Sequence, residues 1–231
     1  MSARVPVITV DGPSGVGKGT LCQWLAGRLG FHLLDSGALY RLTALAALRR
    51  NLVLEDESRV AALAAGLEVE FMAGTEGSLR IVLEGLEVGA DLRSETCGNA
   101  ASRVAALPAV RTALLQRQPD FRRSPGLIAD GRDMGTVVFP DAELKLFLTA
   151  SAEERARRRY KQLSEQGINA NLQNLASEIA ERDARDRQRM VAPLRPAADA
   201  EILDTTHSNI AEVCDRALAL VARRLGLPKN C

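Results

Sequence analysis

The decapeptide DGPSGVGKGT, residues 11 to 20, has the residue types needed to hold a chain of phosphates. Its glycines let successive backbone N–H groups turn inward around an anion. A helix opening just after them contributes the positive end of its dipole, and Lys18 adds a charge on a long stem. Gly12, Gly17 and Lys18 keep the spacing G-x-x-x-x-G-K, but Gly19 stands where Ser or Thr is usual, and the hydroxyl arrives one position late at Thr20. In the commonest loop of this kind that hydroxyl ligates Mg²⁺. With Gly19 in its place, close packing of loop against helix is the expected use of the position. The loop reads as a variant of the motif, not as damage to it.

A second group of chemistry-bearing residues is arginine-rich. ERARRRYK (154–161) and ERDARDRQR (181–189) read as helical, and in the second run Arg182, Arg185, Asp186 and Arg189 share one stripe at 3.6 residues per turn. Guanidiniums on one stripe repel unless anions separate them, which again points to phosphate. The first run is equally compatible with a solvated face. DGRD (130–133) follows an apolar run, where ligand-binding loops of parallel sheets lie. The two histidines, His32 and His207, fall in no motif. His32 alternates within a short strand and reads as core or edge packing.

These residues need a scaffold. VPVITVD (5–11) reads as a buried strand, and FHLLD (31–35), GLIAD (126–130), LKLFLT (144–149) and AEILD (200–204) as four more. Helical patterns cover 17–29, with Gly30 as C-cap, and 36–50, with Ser36 as N-cap, then 108–123, 151–166, 171–189 and 208–225. Strands alternating with helices imply a parallel, doubly wound sheet. Residues 67–92 break this rhythm with period-two alternation punctuated by glycine, which reads as a small antiparallel meander inserted between the second and third core strands.

Hydrophobic residues at 46% and charged residues at 26% suit a soluble globular chain, and 231 residues suit one domain with an insertion. Net charge of +1 and 3% aromatics disfavour a nucleic-acid-binding protein, which would need an electrostatic pull and stacking platforms. Cys22, Cys97, Cys214 and Cys231 show no C-x-x-C spacing, so free thiols in a reducing cytosol are expected and a structural zinc site is not. Neither a signal peptide nor a membrane span is visible. The expected setting is the cytoplasm.

LLDSGALYR (33–41), NAASRVA (99–105), ADGRDMGTVVFPDA (129–142) and ERDARDRQR (181–189), in this order after a G-K-G-T loop, resemble bacterial cytidylate kinases, within the nucleoside monophosphate kinases. The resemblance covers nearly the whole chain. It implies a P-loop kinase fold of class α/β: a five-stranded parallel sheet flanked by helices, a small antiparallel β insertion and a short Arg-rich lid. It also implies one kinase domain, with core 1–35, 108–150 and 190–231, monophosphate-binding region 36–107 and lid 151–189. The activity implied is transfer of the γ-phosphate of ATP to CMP or dCMP with Mg²⁺, by a monomer with no nucleic-acid or membrane partner and no residue assigned as a metal ligand.

Residue by residue, the resemblance gives Gly12, Pro13, Ser14, Gly15, Val16, Gly17, Lys18, Gly19 and Thr20 to the ATP phosphates, and Arg158 to an ATP-side contact. Ser36, Arg41 and Arg132 bind the CMP phosphate, and Tyr40 lies near the sugar. Asp133 and Ser102 meet the cytosine amino group and Arg111 the ring nitrogen, while Asp186 takes the sugar. Lys18, Arg132, Arg182 and Arg189 form the catalytic set of cations, and Asp130 resembles an acid supporting the water shell of Mg²⁺. Other readings remain open on the residues alone. A nucleotide sensor would bind without transfer, and a kinase for UMP, AMP or shikimate would share the loop, although the long meander and the SGALYR and GRDMG strings disfavour the latter.

Overall fold

The computed structural model describes residues 4–73, 79–89, 91–165 and 167–226. By contacts within the chain it divides into two compact units, one of residues 1–35 and 118–231, the other of 36–117.

The first unit is built on β1 (Val7–Asp11), β2 (His32–Asp35), β6 (Leu127–Gly131), β7 (Leu144–Thr149) and β8 (Glu201–Asp204), in the order β2-β6-β1-β7-β8, all parallel. β1 is central and every one of its residues is buried, as its unbroken β-branched run predicts. The edge position of β2 fits the edge reading of His32, which is exposed, with Nε2 2.9 Å from the Ser124 carbonyl oxygen. Helices α1 (Lys18–Leu29) and α8 (Ile210–Leu225) pack on the sheet through Leu21, Leu25, Val213 and Ala217, against Ile8, Val10, Ile128 and Leu146. Burying each such aliphatic side chain contributes about 1.5–3 kcal/mol. Asn209 and Glu212 form a reciprocal capping box at the start of α8, and left-handed Gly30 closes α1 as expected. Helices α6 (Ala152–Glu165) and α7 (Leu172–Gln188) form an antiparallel pair, with Asn171 capping α7 through Gln173 N and Asn174 N.

The second unit holds α2 (Ser36–Arg49), α3 (Glu57–Ala65), the antiparallel β3 (Val69–Ala73), β4 (Leu79–Leu83) and β5 (Leu86–Glu87), then α4 (Glu95–Val104) and α5 (Pro108–Leu115). The meander is thus present, with its first turn outside the described residues. Three local expectations need correction. Ser36 is the first residue of α2, not its cap, because the helix starts directly where β2 ends. The helix expected over 108–123 stops at Leu115 and gives way to a 3₁₀ turn at Gln118–Phe121. Pro119 explains this, lacking the N–H that would bond the carbonyl of Leu115 and continue the helix. Helix α3 was not expected at all.

Candidate active site

The loop after β1 is placed by the sheet. Gly12 has φ +146°, and a Cβ there would lie 2.3 Å from the carbonyl oxygen of Leu148 on neighbouring β7, so only glycine lets the chain leave the strand along this path. Helix α1 is entered through left-handed Gly17 with no side-chain cap, as α5 is through Leu107, whereas Asp56, Ser94, Asn171 and Asn209 cap α3, α4, α7 and α8. The first-turn N–H groups of α1 have no acceptor inside the helix and are available to an anion. The Ser14 hydroxyl is buried with no hydrogen-bond partner among the described residues. Gly19 needs its lack of a side chain less than expected, since a Cβ there meets only Asp130 Oδ2, at an ordinary 3.8 Å. Close packing of loop against helix, expected from the sequence, is therefore not what Gly19 provides.

Strand register assembles carboxylates under this loop. Asp35 on β2 pairs with Asp130 on β6, and Asp11 on β1 stands one step away, opposite Gly131. Lys18 is buried among them, donating from Nζ to the Pro13 carbonyl oxygen at 2.8 Å. Burial, then the Arg132 guanidinium, pulls the Lys18 ammonium down to about 8. Asp130 is pushed up to about 7, chiefly by burial, with the Lys18 charge opposing. Burial likewise raises Asp11 to about 6, against two backbone donors: its carboxylate accepts from Met134 N at 2.9 Å and Gly135 N at 2.8 Å. Asp11 thereby pins the turn after β6, a single π-helical turn at Met134–Val138, and so the preceding pair Arg132 and Asp133. Sequence reasoning gave Asp11 no such role.

Three of the expected cations converge on one carboxylate. Arg132 Nε donates to Asp186 Oδ2 at 2.9 Å, and both residues are largely buried. Burial alone would raise Asp186, but the charges of Arg132, Arg182 and Arg189 outweigh it and hold the carboxyl below its usual range. Arg132 and Arg182 also bear on Lys18. Within this unit, then, four cations share one neighbourhood at the end of the sheet where the loop lies. Arg189 reaches it from just beyond the helix: α7 ends at Gln188, one residue earlier than expected, and Arg189 Nη2 donates to the Ala192 carbonyl oxygen at 2.6 Å.

The two arginine runs are not simple solvated faces. Arg158 donates from Nε to Glu154 at 2.8 Å, from Nη1 to Thr205 Oγ1 at 3.2 Å and from Nη2 to the Thr205 carbonyl oxygen. The one proton of Thr205 Oγ1 lies between Val16 O at 3.2 Å and Thr149 O at 3.1 Å, which sets Arg158 one residue away from both the loop and β7. Arg155 is buried, paired in bidentate fashion with buried Asp183 of α7 and bonded to Ser14 O, a connection that sequence reasoning missed.

The second unit carries the remaining candidates. Ser36 is buried at the start of α2, and Arg41 on the same helix donates to the Leu92 carbonyl oxygen. Ser102 is buried on α4. Arg111, buried on α5, donates to Ala105 O at 3.2 Å and lies 5.6 Å over the Tyr40 ring. That distance is within the range of a cation–π contact. Tyr40 thus supports an arginine in addition to the sugar contact expected of it. Cys22, Cys97 and Cys214 are free and buried, as expected for structural thiols, and Cys231 lies outside the described residues.

Comparison with known proteins follows the same line. A family model described as cytidylate kinase matches residues 8–223. The cytidylate kinase of Shewanella halifaxensis (strain HAW-EB4) is 58% identical over 229 residues, covering 99% of this chain and 100% of its own length. That of Serratia proteamaculans (strain 568) is 58% identical over 230 residues, covering 100% of both chains. That of Klebsiella pneumoniae (strain 342) is 57% identical over 227 residues, covering 98% of this chain and 100% of its own.

Proposed function

The chain belongs to the cytidylate kinase family, and from that premise we propose how its residues divide the work. It transfers the γ-phosphate of ATP to CMP or dCMP, giving ADP and CDP or dCDP, within pyrimidine nucleotide metabolism. The observation that carries the assignment of roles is the gathering of Lys18, Arg132, Arg182 and Arg189 about Asp186 and the loop. The attacking group is an oxygen of the CMP phosphate, already mostly dianionic at pH 7 because its second pKa is about 6. No general base is needed, in keeping with histidines that lie in no motif. The reaction instead needs several mutually repelling phosphates held in line with their charge neutralised. Lys18 and the 12–20 backbone hold the donor. Arg132, Arg182 and Arg189 surround the transferred group and the acceptor phosphate, with Asp186 keeping the cations together and meeting the CMP sugar. Ser36 and Arg41 bind the acceptor phosphate, Tyr40 lies near its sugar, and Ser102, Arg111 and Asp133 read the base. Arg158 supports the ATP side.

Mg²⁺ fits this donor set as an ion carried mainly by the nucleotide. Among the described residues no cluster of three or more His, Cys, Asp or Glu side chains could hold a metal. One buried carboxylate, Asp130, lies beside Gly19 and Lys18. Mg²⁺ takes few protein carboxylates and keeps phosphate and water ligands, so Asp130 would hold its water shell, with the ion neutralising charge on the β- and γ-phosphates. The reading extends to a cytoplasmic monomer acting on free nucleotides. No helix of the described residues is long and apolar enough to cross a membrane.

Coupled ADP-release assays with Mg-ATP and a panel of nucleoside monophosphates test the reaction. CMP and dCMP should support turnover far above AMP and shikimate, and absence of CMP-dependent release would overturn it. A pH dependence should accompany binding. Lys18 has its folded pKa lowered from 10.5 to about 8, so the stability tied to it is present above 10.5 and lost as pH falls through about 8. Asp130, raised from 3.8 to about 7, is the opposite case: its contribution is present below 3.8 and lost as pH rises through about 7. Nucleotide phosphates favour the charged lysine, so ADP binding near pH 8 should take up protons, and affinity should fall roughly tenfold from about pH 7 to about pH 9 by linkage. Calorimetry in two buffers of different ionisation enthalpy measures both. Affinity that is flat across this range, with no proton uptake, contradicts the placement of Lys18 at the phosphates.

A further inference from the structure

Arg155 is the most thoroughly engaged buried cation outside the set assigned above. It sits in the first turn of α6 at 3% exposure. Its Nε donates to Ala150 O at 3.2 Å, Nη1 to Ser14 O at 3.2 Å and to Asp183 Oδ1 at 3.0 Å, and Nη2 to Asp183 Oδ2 at 2.6 Å. Its stem closes on the loop as well, since a Cβ on Gly15 would lie 3.2 Å from Arg155 Cβ. One side of the Ser14–Gly15 peptide is therefore filled by Arg155, which bonds its carbonyl and is itself fixed by Ala150 O and Asp183.

That peptide is trans, so its N–H points opposite to its C=O. Drawing the Ser14 carbonyl toward Arg155 turns the Gly15 N–H away from Arg155, toward the exposed side of the loop, where a phosphate chain can lie. Gly15 has φ +80°, a conformation open to glycine because it lacks a Cβ, and for the same reason Gly15 offers no side chain that could hold the peptide's direction. We propose that Arg155 is a positioning residue for the donor nucleotide, orienting the Gly15 N–H toward the ATP phosphates through Ser14 O and held in that pose by Asp183 of α7. Asp183 is the neighbour in sequence of Arg182 and lies on the helix that carries Asp186, so one buried ion pair sets both the loop and the helix of the transfer cations.

The proposal rests on the loop being the ATP site, and the test separates the two. The probe is ADP, titrated by calorimetry into the parent, into Arg155→Lys and into the double variant Arg155→Met with Asp183→Leu. Lysine keeps a charge opposite Asp183 but cannot span Ser14 O, Ala150 O and both carboxylate oxygens at once. The double variant removes both buried charges together, a replacement that is often neutral or stabilising. Both variants should bind ADP about tenfold more weakly, the loss expected for one misdirected charge-assisted donor. KM for ATP should rise in parallel, with KM for CMP within about threefold of the parent, a split that general loosening would not produce. Independently of any variant, the Gly15 amide resonance of the ¹⁵N-labelled parent should shift downfield on saturation with ADP. An unshifted Gly15 amide, or a folded double variant binding ADP within twofold of the parent, overturns the proposal. A parent that does not bind ADP overturns instead the assignment of the loop.

Discussion

Lys18→Met should lower kcat with Mg-ATP and CMP by roughly 10²-fold or more, the loss expected when an electrostatic partner of the transition state is removed, while the protein stays folded. The two halves of that expectation have different origins. Turnover falls because the ammonium is the mobile charge at the donor phosphates, and the backbone cradle that remains cannot follow charge as it moves from the γ-phosphate to the β-phosphate. Folding survives because the substitution removes a buried charge instead of creating one. The folded state already pulls Lys18 down to about 8, mainly through burial, so the lysine burdens the fold at neutral pH. Methionine has a similar length, is unbranched and fills the same path.

The partner left behind adapts. Asp130 sits at about 7 with the Lys18 charge pulling it downward. Without that charge its pKa rises further and the carboxyl is protonated at neutral pH, so no orphaned anion is buried. Urea denaturation at pH 7 should therefore show stability near that of the parent, while the coupled assay shows the loss of turnover. Activity within a few-fold of the parent would remove the loop from the donor site.

Where the sequence was informative, the controlling physics was local. The run Val7–Asp11 reads as a buried central strand because each residue is β-branched or marks its end, and the left-handed cap at Gly30 needs nothing beyond its own φ. Pro119 was equally local evidence, overlooked beneath the apolar pattern of 108–123. The arginine runs were harder. Arg155 is 3% exposed while Arg157, two residues on, is 67% exposed at its side chain. Identical residue types on both faces of α6 erase the periodicity that normally tells inside from outside. What buries Arg155 is Asp183, 28 positions away, and what gives Asp11 its purpose is a pair of amides 123 and 124 positions away. No spacing rule reaches that far. The motif strings marked these regions through family resemblance, and only the fold shows why the residues beside them matter.

The parent enzyme should prefer CMP and dCMP to UMP by up to ~10⁴-fold in kcat/KM, the range open to a site that rejects a ligand by leaving its own polar groups unpaired. Cytosine presents an amino donor at C4 and an acceptor at N3, and uracil reverses both. A carboxylate accepts and a guanidinium donates, and neither can exchange roles. With Asp133 and Ser102 assigned to the amino group and Arg111 to N3, uracil would set its O4 against a carboxylate and its N3–H against a guanidinium. Burial within the second unit sharpens the penalty: Ser102 and Arg111 are 4% and 6% exposed, so water cannot easily replace a missing partner there. Arg111 is also held in place, by Ala105 O and the Tyr40 ring, so it cannot swing away to accommodate uracil. Replacing both Asp133 and Ser102 with Ala removes the acceptor side of this reading and leaves Arg111. The CMP/UMP ratio should then shrink by at least about tenfold, mainly through lost CMP activity, because each amino-group bond forfeited is worth roughly 1.5–3 kcal/mol when the acceptor is charged. Steady-state kcat/KM for both nucleotides in parent and double variant gives the ratio directly. If the parent uses UMP as well as CMP, or if the ratio does not move, the three residues do not read the base, although phosphoryl transfer by the cation cluster would stand.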